Sequence, residues 1–178
     1  MIEDAVMDHP DRLGFPGALA IRNCRVALPA GRVDVMLLPE SGDVEIVLVE
    51  AKVSSAGDAA SKVIGQLLMY YAGALELGSN GLKLLRDFAR EKPEIARTLW
   101  TKSPKLITGG ISPPALAWQC LYKGTQLMRD KVRLFIALDG ESHRALTPTL
   151  SVLRQHHGLN IGVVVVREGI IQHVHAPG

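Results

Sequence analysis

The residues best placed to do chemistry lie between Gly31 and Tyr71. Asp34 interrupts an apolar run, Arg32-Val33-Asp34-Val35-Met36-Leu37-Leu38, and Glu50-Ala51-Lys52 ends another, Ile46-Val47-Leu48-Val49. Burying a carboxylate in such a run is costly unless it is paired or bound to a metal. Residues two apart on a strand share a face, so Glu50 and Lys52 project together. If Asp34 faces the same side on the neighbouring strand, two carboxylates converge within reach of one cation. Asp34, Glu50, the Ala51 backbone carbonyl and waters would satisfy Mg²⁺ or Mn²⁺, hard ions that take oxygen ligands. Such a cation lowers the pKa of a water and offsets charge at phosphorus, and Lys52 would support the attacking water and the phosphate. The expected chemistry is phosphodiester hydrolysis.

The elements that must position these groups are legible in the surrounding pattern. Residues 2–9 read as a short helix closed by His9-Pro10, and 11–17 as a loop. Ile21 to Leu28, Arg32 to Leu38 and Val44 to Val53 read as strands, separated by Pro29-Ala30-Gly31 and by Pro39-Glu40-Ser41-Gly42-Asp43. Turns this short imply an antiparallel meander. A helix follows, with Val63, Ile64, Leu67, Leu68, Tyr71 and Leu75 at helical spacing and a stop at Gly78. On it Lys62, Gln66 and Tyr70 stand four apart and form one polar stripe. Gln66 and Tyr70 would orient a phosphate or Lys52.

Residues 81–100 read as helical, 101–118 as irregular and 115–129 as a short helix, so about 80–130 forms an insertion. Val132 to Leu138 is a buried strand. Thr147-Pro148 matches a helix cap followed by proline, and that helix runs to His157 and stops at Gly158. Ile161 to Val166 and Ile170 to His175 are the last strands. Strand, helix, strand predicts a crossover with parallel pairing. The expectation is one domain over residues 1–178, of α/β (α+β) class, with three layers and a mixed central sheet flanked by helices.

Glu-x-Lys alone is a chance occurrence in a chain of this length. The order is more specific: a meander strand with Asp, a hairpin, an apolar strand ending in Glu-x-Lys, then Gln-x-x-x-Tyr on a helix. The runs GRVDVMLLPESGDVEIVLVEAK and GQLLMYYAG resemble the PD-(D/E)XK nuclease superfamily, the restriction-endonuclease-like fold, in the pattern of its RecB-like members. The resemblance covers roughly residues 1–76 by motif and 130–175 by topology. It implies that Asp34 and Glu50 take the metal-ligand places, that Lys52 is the catalytic lysine, and that Gln66 and Tyr70 complete the site. It also implies an acidic residue on the first helix, where Glu3, or Asp4, stands in IEDAVMDHPDRLG. Val33 departs from the family pattern, where many members have proline. Nucleic acid, above all DNA, is the implied substrate, and a homodimer is an assembly the resemblance suggests. The alternative is a catalytically weak or inactive domain of the same fold that binds nucleic acid or protein, or serves assembly.

Plainer readings stand beside these. Asp34, Glu50 and Lys52 could form a cross-strand ion pair, Gln66 and Tyr70 a solvated helix face, and Glu3 a favourable helix-dipole charge. His173 and His175 share a strand face but have no third zinc ligand, so a surface strand is expected. His156-His157 suits a helix end. Arg129, Lys131 and Arg133 read as a solvated basic cluster. The 178 residues carry a formal charge of +2 and only 4% aromatics, which neither announces nor opposes nucleic-acid binding and makes stacking platforms sparse. Cys24 and Cys120 lack metal spacing. No leader and no apolar run of spanning length is apparent, which predicts a cytoplasmic protein away from membranes.

Overall fold

In a computed structural model, the chain is described over residues 1–27, 31–39, 43–44, 46–53, 59–76, 132–140 and 143–175. The fold is α/β: among the described residues six strands form one mixed sheet in chain order, with helices on both faces. The elements are α1 (Ile2–Asp8), a 3₁₀ turn (Pro10–Leu13), β1 (Leu19–Ala27), β2 (Gly31–Leu38), β3 (Ile46–Lys52), α2 (Ala59–Glu76), β4 (Val132–Leu138), α3 (His143–His157), β5 (Ile161–Arg167) and β6 (Ile170–His175). The expected insertion at about 80–130 lies outside the described residues.

The first three strands form the expected antiparallel meander. β3, β4 and β5 then pair in parallel, and β6 returns antiparallel. The β5–β6 hairpin closes over Glu168 and Gly169, whose φ values are 51° and 75°. Positive φ at both central residues of a two-residue turn matches the right-handed twist of the strands it joins.

Alternation along the strands divides the apolar residues between two faces. Met36, Leu48, Leu134, Ile136 and Val163 pack with Val63, Leu67 and Tyr71 of α2 and Leu146 and Leu150 of α3. Val35, Val47, Val49, Phe135 and Val164 pack on the other face with Ala5 and Val6 of α1. The sheet is therefore the middle of three layers. β3 to β5 are buried on both faces, which is why they read as continuous apolar runs.

Two expectations are corrected. Residues 11–17 are not all irregular: Pro10–Leu13 forms a 3₁₀ turn that buries Leu13. The helix expected to start at Thr147-Pro148 starts at His143, and Pro148 lies inside it. Leu146 and Leu150, four apart and both buried, explain the difference. Helix must already exist at Leu146 to bring both onto the sheet, and that burial offsets the hydrogen bond that proline removes. α3 ends at His157, and Gly158 follows with φ 61°, the left-handed stop that glycine adopts easily.

Candidate active site

The site forms where the sheet forks. β2 pairs with β3 from Leu37↔Val47 to Val35↔Val49. Beyond that level β2 pairs with β1 alone, from Val33 to Gly31, while β3 continues beside β4 to Lys52↔Leu138. The next residues past the last β2–β3 pair are Asp34 and Glu50, so both carboxylates stand at the fork.

Parting strands leave ladder groups without partners, and Asp34 satisfies one of them. The Ala51 N–H donates to Asp34 Oδ2 at 2.8 Å. In an extended strand a residue's N–H and C=O leave from the same edge, so the Ala51 carbonyl opens towards the fork as well. Ala51 thus enters the site through its backbone N–H.

Glu50 is the only buried charged side chain among the described residues, at 2% exposure. Lys52 Nζ lies 2.9 Å from its Oε1. No hydrogen-bond donor among the described residues reaches Oε2. Burial lifts the Glu50 carboxyl to about 7; the Lys52 hydrogen bond opposes the rise and the neighbouring Asp34 charge adds to it. Near neutrality the carboxyl therefore stands between its protonated and ionised forms, and added positive charge favours the ionised one.

α2 closes the site from the helical layer. Its stripe runs inward: Lys62 is exposed, Gln66 half-buried and Tyr70 buried. Burial pushes the Tyr70 hydroxyl up to about 12, the Glu50 and Asp34 charges push the same way, and a hydrogen bond with Gln66 opposes them. Charge coupling and hydrogen bonding therefore join Asp34, Glu50, Lys52, Gln66 and Tyr70 into one cluster. Tyr70 is part of the packed core, not of a solvated helix face.

Glu3 is held elsewhere. α1 packs on the opposite face of the sheet, where Arg22 of β1 lies 3.8 Å from Glu3 and also binds Asp4. The guanidinium holds the Asp4 carboxyl below its usual range. Nothing in the spacing of Glu3, Asp4 and Arg22 announced this pairing, because it joins a helix to a strand across a loop. Among the described residues no group of three or more His, Cys, Asp or Glu side chains gathers as a metal centre. His173 and His175 are exposed on β6 with ring centroids 6.3 Å apart. Arg133 departs from the expected solvated cluster: it is half-buried, with its guanidinium 5.8 Å from the centre of the Phe15 ring. Arg129 and Lys131 lie outside the described residues. No helix among the described residues is long and apolar enough to cross a membrane.

A cation fits the donor set at the fork. Glu50 offers a buried acceptor oxygen that no donor among the described residues reaches, next to a second carboxylate. Oxygen ligands of this kind suit Mg²⁺ or Mn²⁺. Comparison with protein-family models, curated proteins and solved structures returned no match to this chain.

Proposed function

We propose that this chain is a divalent-metal-dependent nuclease that hydrolyses DNA phosphodiester bonds, with the PD-(D/E)XK arrangement of site residues. One observation carries the reading: at the fork, a buried Glu50, with one oxygen that no donor among the described residues reaches, lies beside Asp34 and is paired with Lys52. Asp34, Glu50 and the Ala51 carbonyl would hold Mg²⁺ or Mn²⁺. When bound, the ion supplies Lewis acidity to a phosphate oxygen and to the attacking water.

The chain's own groups do the rest. The Glu50 and Asp34 charges create the negative potential that draws a cation to the fork. Lys52 shares Glu50's negative charge while no cation is present. Lys52 would also offer its ammonium to the phosphate oxygens, where charge develops during attack. Gln66 fixes the Tyr70 hydroxyl, which stays protonated and so remains a hydrogen-bond donor at neutral pH. Burial of Glu50 keeps bulk water from screening these charges.

Purified protein should cleave plasmid or oligonucleotide DNA with Mg²⁺ and stop with EDTA, and Asp34→Ala and Lys52→Ala should each lose the activity. Full activity in both variants would defeat the assignment. A second reading is favoured by the Asp34–Ala51 and Glu50–Lys52 contacts, which hold the cluster together without a cation: a domain of this fold that binds nucleic acid or protein without cutting. Titration calorimetry with Mn²⁺ separates the two, since only an intact metal site gives heat that Asp34→Ala removes.

A further inference from the structure

β6 is the last strand of the sheet among the described residues, so one of its edges faces away from β5. It carries a bulge. Arg167↔Ile170 and Val166↔Ile171 pair in one register, and Val165↔His173, Val164↔Val174 and Val163↔His175 in another, which leaves Gln172 as the extra residue. A bulge re-aims the side chains that follow it. Ile171 packs in the core on the α1 face, and in an unbroken strand His173 and His175 would share that face. After the bulge it is Val174 that packs there, while His173 and His175 stand opposite Val165 and Val163, which belong to the α2–α3 face. Both imidazoles are exposed, with ring centroids 6.3 Å apart and planes tilted by 39°.

Two exposed imidazoles on one strand face form a chelating pair, and imidazole nitrogen suits Zn²⁺. Zn–N bonds of about 2.0–2.1 Å put the centres of two rings that share one ion roughly 5–6 Å apart. Small side-chain rotations bring the observed 6.3 Å to that value. A closed zinc site takes four ligands, and among the described residues no group of three or more His, Cys, Asp or Glu gathers to supply the rest. The pair is therefore half of a site, and its place on the edge strand points to the other half. At the Ile171 level Arg12 of the 3₁₀ turn donates to the strand's carbonyl at 3.3 Å, so further pairing is confined to the segment after the bulge, Gln172 to His175. Antiparallel pairing of that segment with itself about Val174 sets His173 of each copy opposite His175 of the other, all on one face of the joined sheet. Directly opposed residues have Cβ atoms about 4.5–5.5 Å apart, so four imidazoles converge. A ladder this short is marginal in water, which makes the association depend on the ion. The two-fold arrangement closes at two copies.

We infer that His173 and His175 are half of a Zn²⁺ site that a second copy of this chain completes across β6, giving a metal-dependent dimer. The inference does not rest on the nuclease reading. β6 lies three strands from β3, and its ligands are nitrogens, whereas the fork offers oxygens.

Sedimentation equilibrium of the full chain, stripped with EDTA and then titrated with ZnCl₂, measures the mass, and calorimetry measures the stoichiometry. The mass should double at one Zn²⁺ per two chains and return to that of the monomer with EDTA. Because the fork can also take Zn²⁺, the ions are counted in Asp34→Ala, which should dimerise as the unaltered chain does. His173→Gln and His175→Gln should each lose the Zn²⁺-induced dimer, and the double variant His156→Gln/His157→Gln should keep it. His173→Cys, kept reduced, replaces one ligand by a thiolate and should restore the dimer that His173→Gln lacks. Amide hydrogen exchange over Gln172 to His175 should slow when Zn²⁺ is added to the unaltered chain and not when it is added to His173→Gln. A mass unchanged by Zn²⁺, one ion per chain in Asp34→Ala, or a dimer that survives both single histidine variants would overturn the shared site. None of these readouts involves DNA, so a failure of the nuclease reading leaves them untouched.

Discussion

Lys52 and Glu50 lie two residues apart on β3 and meet at 2.9 Å, with the lysine half-exposed and the glutamate buried. The pair straddles the boundary between solvent and core, and Asp34 presses on it from the other side of the fork. The two neighbours pull the Glu50 proton in opposite directions. Lys52→Ala should therefore raise the Glu50 pKa above about 7, and Asp34→Asn should lower it. Asparagine keeps a side-chain oxygen for the Ala51 N–H, so the second variant should stay within about 1 kcal/mol of the parent in stability. Carbon-13 NMR titration of the Glu50 carboxyl in metal-free protein reads both shifts, and shifts of the same sign in the two variants would break the account.

Glu50 also makes stability depend on pH. Its carboxyl rises from 4.5 to about 7 on folding, so between those values the folded protein keeps a proton that the unfolded chain has released. The stabilisation linked to that proton is complete below 4.5 and is lost as the pH rises through 7. The contribution is on the order of 3 kcal/mol. Metal-free protein should lose stability over this window, and Glu50→Gln should flatten the loss while abolishing Mn²⁺ binding. Urea unfolding between about pH 5 and pH 8 measures it. A parent curve as flat as that of the variant would contradict the prediction.

Gly162 of β5 lies under Phe135 of β4. A methyl group at this position would stand 2.3 Å from Phe135 Cε1 and 3.0 Å from the His175 carbonyl. The ring is buried and packs edge-on to Phe15 with centroids 6.5 Å apart, so it has little room to yield. Gly162→Ala should cost about 1–3 kcal/mol or more in chemical unfolding, with a partial rescue by Phe135→Leu.

Gly65 of α2 behaves in the opposite way. A Cβ there meets nothing within 4 Å, and the position is exposed and helical. Gly65→Ala should stabilise the protein by about 0.5–1 kcal/mol, through helix propensity alone. Thermal unfolding should show a higher midpoint, and a lower one would mean that this face of α2 is covered.

Much of the fold was legible because its signals are local. The β4 boundaries, Val132 and Leu138, and the β6 boundaries, Ile170 and His175, coincide with the edges of apolar or alternating runs bounded by turn residues. The start of α3 was misread because a cap followed by proline is also a local signal, whereas the burial of Leu146 is not. In the site, the order Asp34, Glu50-x-Lys52, Gln66-x-x-x-Tyr70 could be found along the chain, since strand and helix periodicity set which residues share a face.

What the sequence determined by itself was the set of groups and the elements that carry them. Two-residue and 3.6-residue repeats are written into the order of side chains, so an α/β architecture and a carboxylate–lysine cluster followed from it. Only the tertiary structure decided how deeply each group is buried and which backbone atoms meet it. The fork at Asp34, the Ala51 N–H on its oxygen, the withdrawal of Glu50 from solvent and the capture of Glu3 by Arg22 all depend on where strands part and layers pack. Those are contacts between residues far apart in the chain, and desolvation and Coulomb forces act across them through space.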